Sequence, residues 1–122
     1  MKEKRMQDYR KLKVWEKSHE LTLDIYKITK SFPKDELYGI VSQLRRSTSS
    51  IPANIVEGCG RKTKTDFARF LTIAIGSANE TEYFLLLSKD LKYISENDHL
   101  KLSNEVIEVR KMLLSLVSKV IE

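Results

Sequence analysis

The chain of 122 residues is 41% hydrophobic and 32% charged, with four glycines, two prolines, one cysteine and a formal net charge of +5. Its size is that of a single domain, 1–122, able to bury a core, and so few turn formers exclude a many-stranded β fold. No apolar run approaches the roughly 18 residues of a membrane span, no apolar stretch follows the N-terminal charges as a secretory signal requires, and the single Cys59 cannot form an internal disulfide, which together predict a cytoplasmic protein.

Residues 1–12 read as a basic N-terminal tail with Lys2, Lys4, Arg5, Arg10 and Lys11. A first helix is expected over Lys13–Lys30, where Val14, Leu21, Ile25 and Ile28 keep a helical period and Trp15 and Tyr26 widen the stripe. Pro33 disfavours helical geometry at Phe32 and ends it. A second helix is expected from Asp35 or Leu37 to the Gly58-Cys59-Gly60 cap, along Leu37, Ile40, Val41, Leu44, Thr48, Ile51, Ile55 and Cys59. Pro52 leaves the Thr48 carbonyl without its N–H and predicts a kink, eased by back-bonding hydroxyls between Ser47 and Ser50. Beside the apolar line runs a polar one: Gln43, Ser47, Ser50, Asn54, Glu57 and Arg61.

The third helix is expected to start after Thr63 or Thr65 and to reach about Leu91. Phe67, Phe70, Leu71, Ile73, Ala74 and Ile75, then Tyr83 to Leu87, point almost all round its axis, which predicts a second covered face and hence self-association. The fourth helix follows a cap at Ser95 or Asn97. Its seam is Leu102, Val106, Val109, Leu113, Leu116 and Val120, with Ile107, Leu114, Val117 and Ile121 in a second line. Short connections make the fold an all-α, antiparallel, up-down-up-down four-helix bundle with a Pro-kinked second helix.

Chemistry-bearing patterns are sparse. Glu16-Lys-Ser-His19 and Glu96-Asn-Asp-His99 carry the spacing of di-iron bundles, but helices one and four would start at opposite ends, more than about 20 Å apart. No metal, cofactor or catalytic residue is therefore assigned. Cys59 reads as a small residue in a tight cap, and Gly58 to Lys64 lacks the P-loop pattern although it offers glycines and cations beside a helix N-terminus.

The densest basic region outside the tail holds Arg45, Arg46, Arg61, Lys62, Lys64 and Arg69 against Glu57 and Asp66. Such a region suits a phosphate backbone, RNA or DNA. It equally suits contacts between subunits, with Arg45 or Arg46 meeting Glu80 or Glu82 and with Gln43, Ser50, Asn54 and Glu57 in the same interface.

Several stretches occur together and in order: Leu12-Lys-Val-Trp15, Phe32-Pro-Lys-Asp-Glu-Leu-Tyr-Gly39, Gln43-Leu-Arg-Arg46, Ser50-Ile-Pro-Ala-Asn-Ile-Val-Glu-Gly58, Arg61, Phe67, Phe70-Leu71 and Gly76-Ser77. On these the chain resembles the bacterial four-helix-bundle proteins encoded in intervening sequences of large-subunit ribosomal RNA genes. Val56 stands where alanine is usual in that pattern. The resemblance implies a bundle that assembles into a ring, most simply a homopentamer, without catalysis and associated with nucleic acid. A related branch consists of accessory proteins of diversity-generating retroelements, which implies an alternative role as a structural adaptor for a protein partner such as a reverse transcriptase.

Overall fold

The computed structural model describes residues 7–122, so Lys2, Lys4 and Arg5 of the basic tail lie outside the described residues. The regular elements described are all helical: α1 (Lys13–Thr29), α2 (Ile40–Cys59), α3 (Lys64–Asp90) and α4 (Glu96–Ile121), with 3-10 turns at Tyr9–Lys11 and Lys34–Glu36. Each helix packs on two others in the cyclic order α1, α2, α3, α4, and the diagonal pairs make no close backbone approach. Neighbours run antiparallel. Thr22 of α1 lies against Thr48 of α2, and Thr29 against Arg45. Ser47 of α2 meets Thr81 of α3, while Gly58 meets Phe67 and Phe70.

The expected apolar lines converge on the axis. Leu21, Ile25, Leu44, Ile51, Ile55, Leu71, Leu85, Val106, Val109 and Leu113 are almost wholly buried. A hydroxyl layer crosses this core. Thr81 Oγ1 lies 3.0 Å from Ser47 Oγ and 3.5 Å from Thr48 Oγ1. Each hydroxyl also reaches a carbonyl one turn back on its own helix: Ser47 and Thr48 that of Leu44, Thr81 that of Ser77. The back-bonding expected near Pro52 is therefore present. Pro52 lies inside α2, and Thr22 Oγ1, which donates to Ser18 O at 2.8 Å, also sits 3.5 Å from the Thr48 carbonyl that proline leaves without its N–H. This polar contact from α1 limits the cost of a buried carbonyl lacking its helical partner.

Three expectations change. Helix α2 begins at Ile40, not at Asp35 or Leu37, because residues 34–36 close a 3-10 turn and Gly39, at φ −106° and ψ −117°, breaks the helical path. Leu37 fits the period yet stays half exposed, and Tyr38 is 92% exposed. Neither glycine ending α2 is left-handed, and Gly58 acts by its size. Gly60 is right-handed at φ −82°, and a Cβ on Gly58 would stand 3.0 Å from both Phe67 Cδ1 and Phe70 Cβ. Finally, α3 is less bare than its composition implies. It lies between α2 and α4 and buries Phe67, Leu71, Ala74, Ala78 and Leu85, leaving Ile73, Tyr83 and Leu86 exposed.

Among the described residues the left-handed one is Lys92, at φ 65°, just past α3. Tyr93 N–H donates to Ser88 O at 2.8 Å and Lys92 N–H to Lys89 O at 2.9 Å, the bond pair of a Schellman cap with lysine where glycine is usual. Tyr93 then donates its hydroxyl to Glu36 Oε2 at 2.7 Å, tying the α3–α4 connection to the 3-10 turn before α2. That carboxylate beside the phenol, with partial burial, raises the Tyr93 pKa.

Candidate nucleic-acid interface

Helix α2 separates the basic residues that the sequence groups together. Arg46 lies near the start of α2 and Arg61 just past its end, with thirteen helical steps, about 20 Å of rise, from Arg46 to Cys59. At the α1–α2 end, Arg45 Nε donates to Thr29 Oγ1 at 2.9 Å and its Nη2 to the Tyr26 carbonyl at 3.2 Å. The same guanidinium lies 4.6 Å from the Tyr26 ring centroid. Arg46 pairs with Glu80 of α3 and donates to Gln43 Oε1 from Nε and Nη2, at 3.2 and 2.9 Å. Glu82 receives Arg110 Nη1 of α4 at 2.7 Å, and that nitrogen also reaches Asn79 Oδ1. The Arg46–Glu80 pair envisaged across subunits is thus made within one chain, and Glu82 has its own partner in α4.

The polar line of α2 also divides. Ser47 is fully buried against Thr81. Ser50 and Asn54 are half-buried, with Asn54 Nδ2 donating to the Ser50 carbonyl at 2.8 Å, while Gln43 and Glu57 are exposed. The surface part of the line is therefore Gln43, Ser50, Asn54, Glu57 and Arg61, along the groove between α2 and α3.

At the opposite end of α2 the cations gather on one ring. The guanidinium carbons of Arg61 and Arg69 each lie 4.5 Å from the Phe70 centroid. The absent side chain of Gly58 is what lets Phe70 come this close to α2. Carboxylates approach both arginines loosely: Glu57 Oε1 at 3.5 Å from Arg61, Asp66 Oδ1 at 3.7 Å from Arg69. Lys62 and Lys64 are exposed beside them, and Thr63 caps α3 by accepting Asp66 N–H at 3.1 Å. Stacked guanidinium groups keep their in-plane N–H donors pointing outward, which is the geometry that receives phosphate oxygens.

A second set of cations joins this end that the sequence left in the tail. Gln7 N–H donates to the Cys59 carbonyl at 3.3 Å, so the segment carrying Arg10 and Lys11 begins two residues from Arg61. Tyr9, aromatic and next to Leu12 and Trp15, was the available signal that this segment packs rather than trails. Its ring lies 5.0 Å from that of Trp15.

Other chemistry is thin. Among the described residues no group of three or more His, Cys, Asp or Glu side chains is placed to hold a metal ion. The Lys17–Glu108 ion pair sets the register of α1 on α4 and puts the two Glu-x-x-His stretches about 10 to 20 Å apart along the axis, closer than expected because α4 overhangs α1 but still out of joint reach. Cys59 is buried. An acidic patch of Glu20, Asp24, Glu105 and Glu108 lies between α1 and α4. There burial and then Asp24 push Glu105 above the ordinary glutamate range, while Lys101 pulls it back. Among the described residues no helix is long and apolar enough to cross a membrane.

Among known proteins, the family model described as 23S rRNA-intervening sequence protein matches residues 10–115. A search of curated proteins finds no match. Among solved structures, a 1.70 Å crystal structure from Bacteroides thetaiotaomicron, described as a protein with unknown function from the S23 ribosomal protein family, is 33% identical in sequence. It superposes with a TM-score of 0.80 over 86% of this chain and 95% of its own.

Proposed function

The chain belongs to the 23S rRNA-intervening sequence protein family, and from that premise we propose that it is a non-enzymatic protein that binds the phosphate backbone of RNA or DNA at the α2–α3 end of its bundle. One observation carries the reading. Arg61 and Arg69 both lie 4.5 Å from the Phe70 centroid, with exposed Lys62 and Lys64 between them in sequence and only long carboxylate contacts to either guanidinium. Arg45 and Arg46, with partners inside the chain, belong to the scaffold in this reading.

Filter binding of a structured RNA across a salt series tests it. With about four phosphate contacts, log K falls with a slope near −3.6 against log salt on a duplex. Absence of binding at low salt would sink the reading.

The same proposal includes a homo-oligomer, with the pentameric ring of the family resemblance as its simplest form. The exposed Ile73, Tyr83 and Leu86 of α3 support it. Light scattering that returns a stable monomer contradicts it.

A second reading, a structural adaptor for a protein partner such as a retroelement reverse transcriptase, rests on a different observation. Leu100, Leu114 and Ile121 stand exposed at heptad-related positions along α4, an apolar line of the kind a partner helix covers. A purified reverse transcriptase that binds the parent protein and a Leu114→Lys variant equally well removes that basis.

A further inference from the structure

Resting on the nucleic-acid reading above, we propose that Tyr9, Trp15 and His19 form a stacking platform for the bases of a single strand, so that the site holds unpaired nucleic acid more tightly than duplex. Four side chains make a continuous ladder at the end of the bundle that carries the basic turn. The Arg10 guanidinium lies 5.3 Å from the Tyr9 ring centroid. Tyr9 meets Trp15 edge to face at 5.0 Å and 64°. Trp15 and His19, one helical turn apart on α1, are stacked at 5.1 Å with their planes within 6°.

A Trp–His pair held parallel on a helix surface is the start of a stack. Trp15 leans on the core and is half-buried, whereas His19 is exposed, and among the described residues its only ring neighbour is Trp15. A base laid on the outer face of His19 extends the stack with a third parallel plane. Every base has such a face, so this contact is tolerant of sequence. The phosphates of the same strand have cations within reach on both sides. Arg10, Lys11 and Lys13 lie on the chain entering α1. Arg61 follows two residues after Cys59, whose carbonyl accepts Gln7 N–H. Asp8 is the opposing charge here. It accepts Arg10 N–H at 3.1 Å and Nε–H at 3.4 Å, which fixes the ladder's first rung and leaves the Arg10 side chain 64% exposed. A duplex keeps its base faces against each other and can offer this platform only its backbone.

The chain has one tryptophan, so Trp15 emission reports the platform directly. A short single-stranded RNA and its duplex are titrated separately, with binding read from the anisotropy of an end label and stacking from Trp15 emission with unlabelled strands. The expected result is quenching of Trp15 by the single strand with little change on adding duplex. A His19→Ala variant binds the single strand at least about fivefold more weakly, while its duplex affinity and melting temperature match the parent. If the single strand binds but Trp15 emission stays unchanged and His19→Ala binds as well as the parent, the platform is wrong and the basic-end reading survives. If neither strand binds at low salt, both fall.

Discussion

Arg45 and Arg46 sit where α2 begins to pack on α1 and α3, and Arg61 and Arg69 sit where α2 gives way to α3. At the first place the guanidinium groups serve the bundle: one bonds to a hydroxyl and a carbonyl of α1, the other to a glutamate of α3 and a glutamine of α2. At the second they lie on an aromatic ring and their carboxylates stand at 3.5 and 3.7 Å. The difference teaches that density of charge along a sequence is not density of available charge. What counts is whether the N–H groups already point at oxygens of the same chain. It also shows how one small residue decides the matter, since only a glycine at position 58 leaves room for Phe70 against α2.

The contrast can be broken most directly at that glycine. Gly58→Ala places a Cβ at 3.0 Å from Phe67 and Phe70, which must give way by a few tenths of an ångström to admit it. We expect a loss of about 1–3 kcal/mol in a denaturant melt together with weakened RNA binding, because the Arg61–Phe70–Arg69 group shifts with α3. Next, the double variant Arg61→Glu, Arg69→Glu should lower RNA affinity by at least about tenfold, with the salt slope shallower by roughly 0.9 for each phosphate no longer neutralised. Arg46→Glu should leave affinity within about twofold and cost at most about 1 kcal/mol of stability, as exposed ion pairs do. An equal loss of RNA binding at Arg46 would erase the distinction between the two ends, and loss of an oligomer there would return Arg46 to a subunit interface.

Two smaller effects sharpen the contrast by improving the fold away from the basic turn. Lys92→Gly relieves a left-handed lysine at the far end of α3 and should add about 1 kcal/mol without changing RNA affinity. Glu105→Gln tests the acidic patch between α1 and α4. Burial, then Asp24, holds the Glu105 proton more tightly in the folded chain than in the unfolded one. Its contribution is therefore most favourable below the ordinary glutamate range and declines as pH rises through that range to the folded value. The variant should melt higher than the parent at neutral pH, with the gap closing as the pH falls below the carboxylate range.

Much of this was legible in the sequence. The periodic lines of α1, α3 and α4 lie where Leu21, Leu71 and Val106 placed them, because a buried stripe on a helix leaves a repeating signature. The start of α2 was not legible, since Leu37 fits that period by spacing while the backbone at Gly39 breaks it. Ser47 looked like surface because hydroxyls are counted as polar, yet a serine whose hydroxyl meets another across two helices can be fully buried. The site was half legible. Arg61, Lys62, Lys64 and Arg69 come together because a turn joins them, but their distance from Arg45 and Arg46 follows from the length of α2. The Tyr9–Trp15–His19 ladder was harder to see: Tyr9 precedes any periodic segment, and its nearness to Leu12 and Trp15 signals packing without saying which ring it meets.

The hydroxyl pair between Ser47 and Thr81 works as a key between two rods. Both residues are wholly buried, and each presents its oxygen to the other across the α2–α3 seam. Slide α3 by one turn and each hydroxyl would keep only the carbonyl of its own helix, losing the contact across the seam, worth about 1 kcal/mol. The rods are therefore biased toward one axial setting. That setting alone brings Gly58, about 16 Å further along α2, level with Phe67 and Phe70. Two small hydroxyls in the middle of the protein thus aim the arginines at its end.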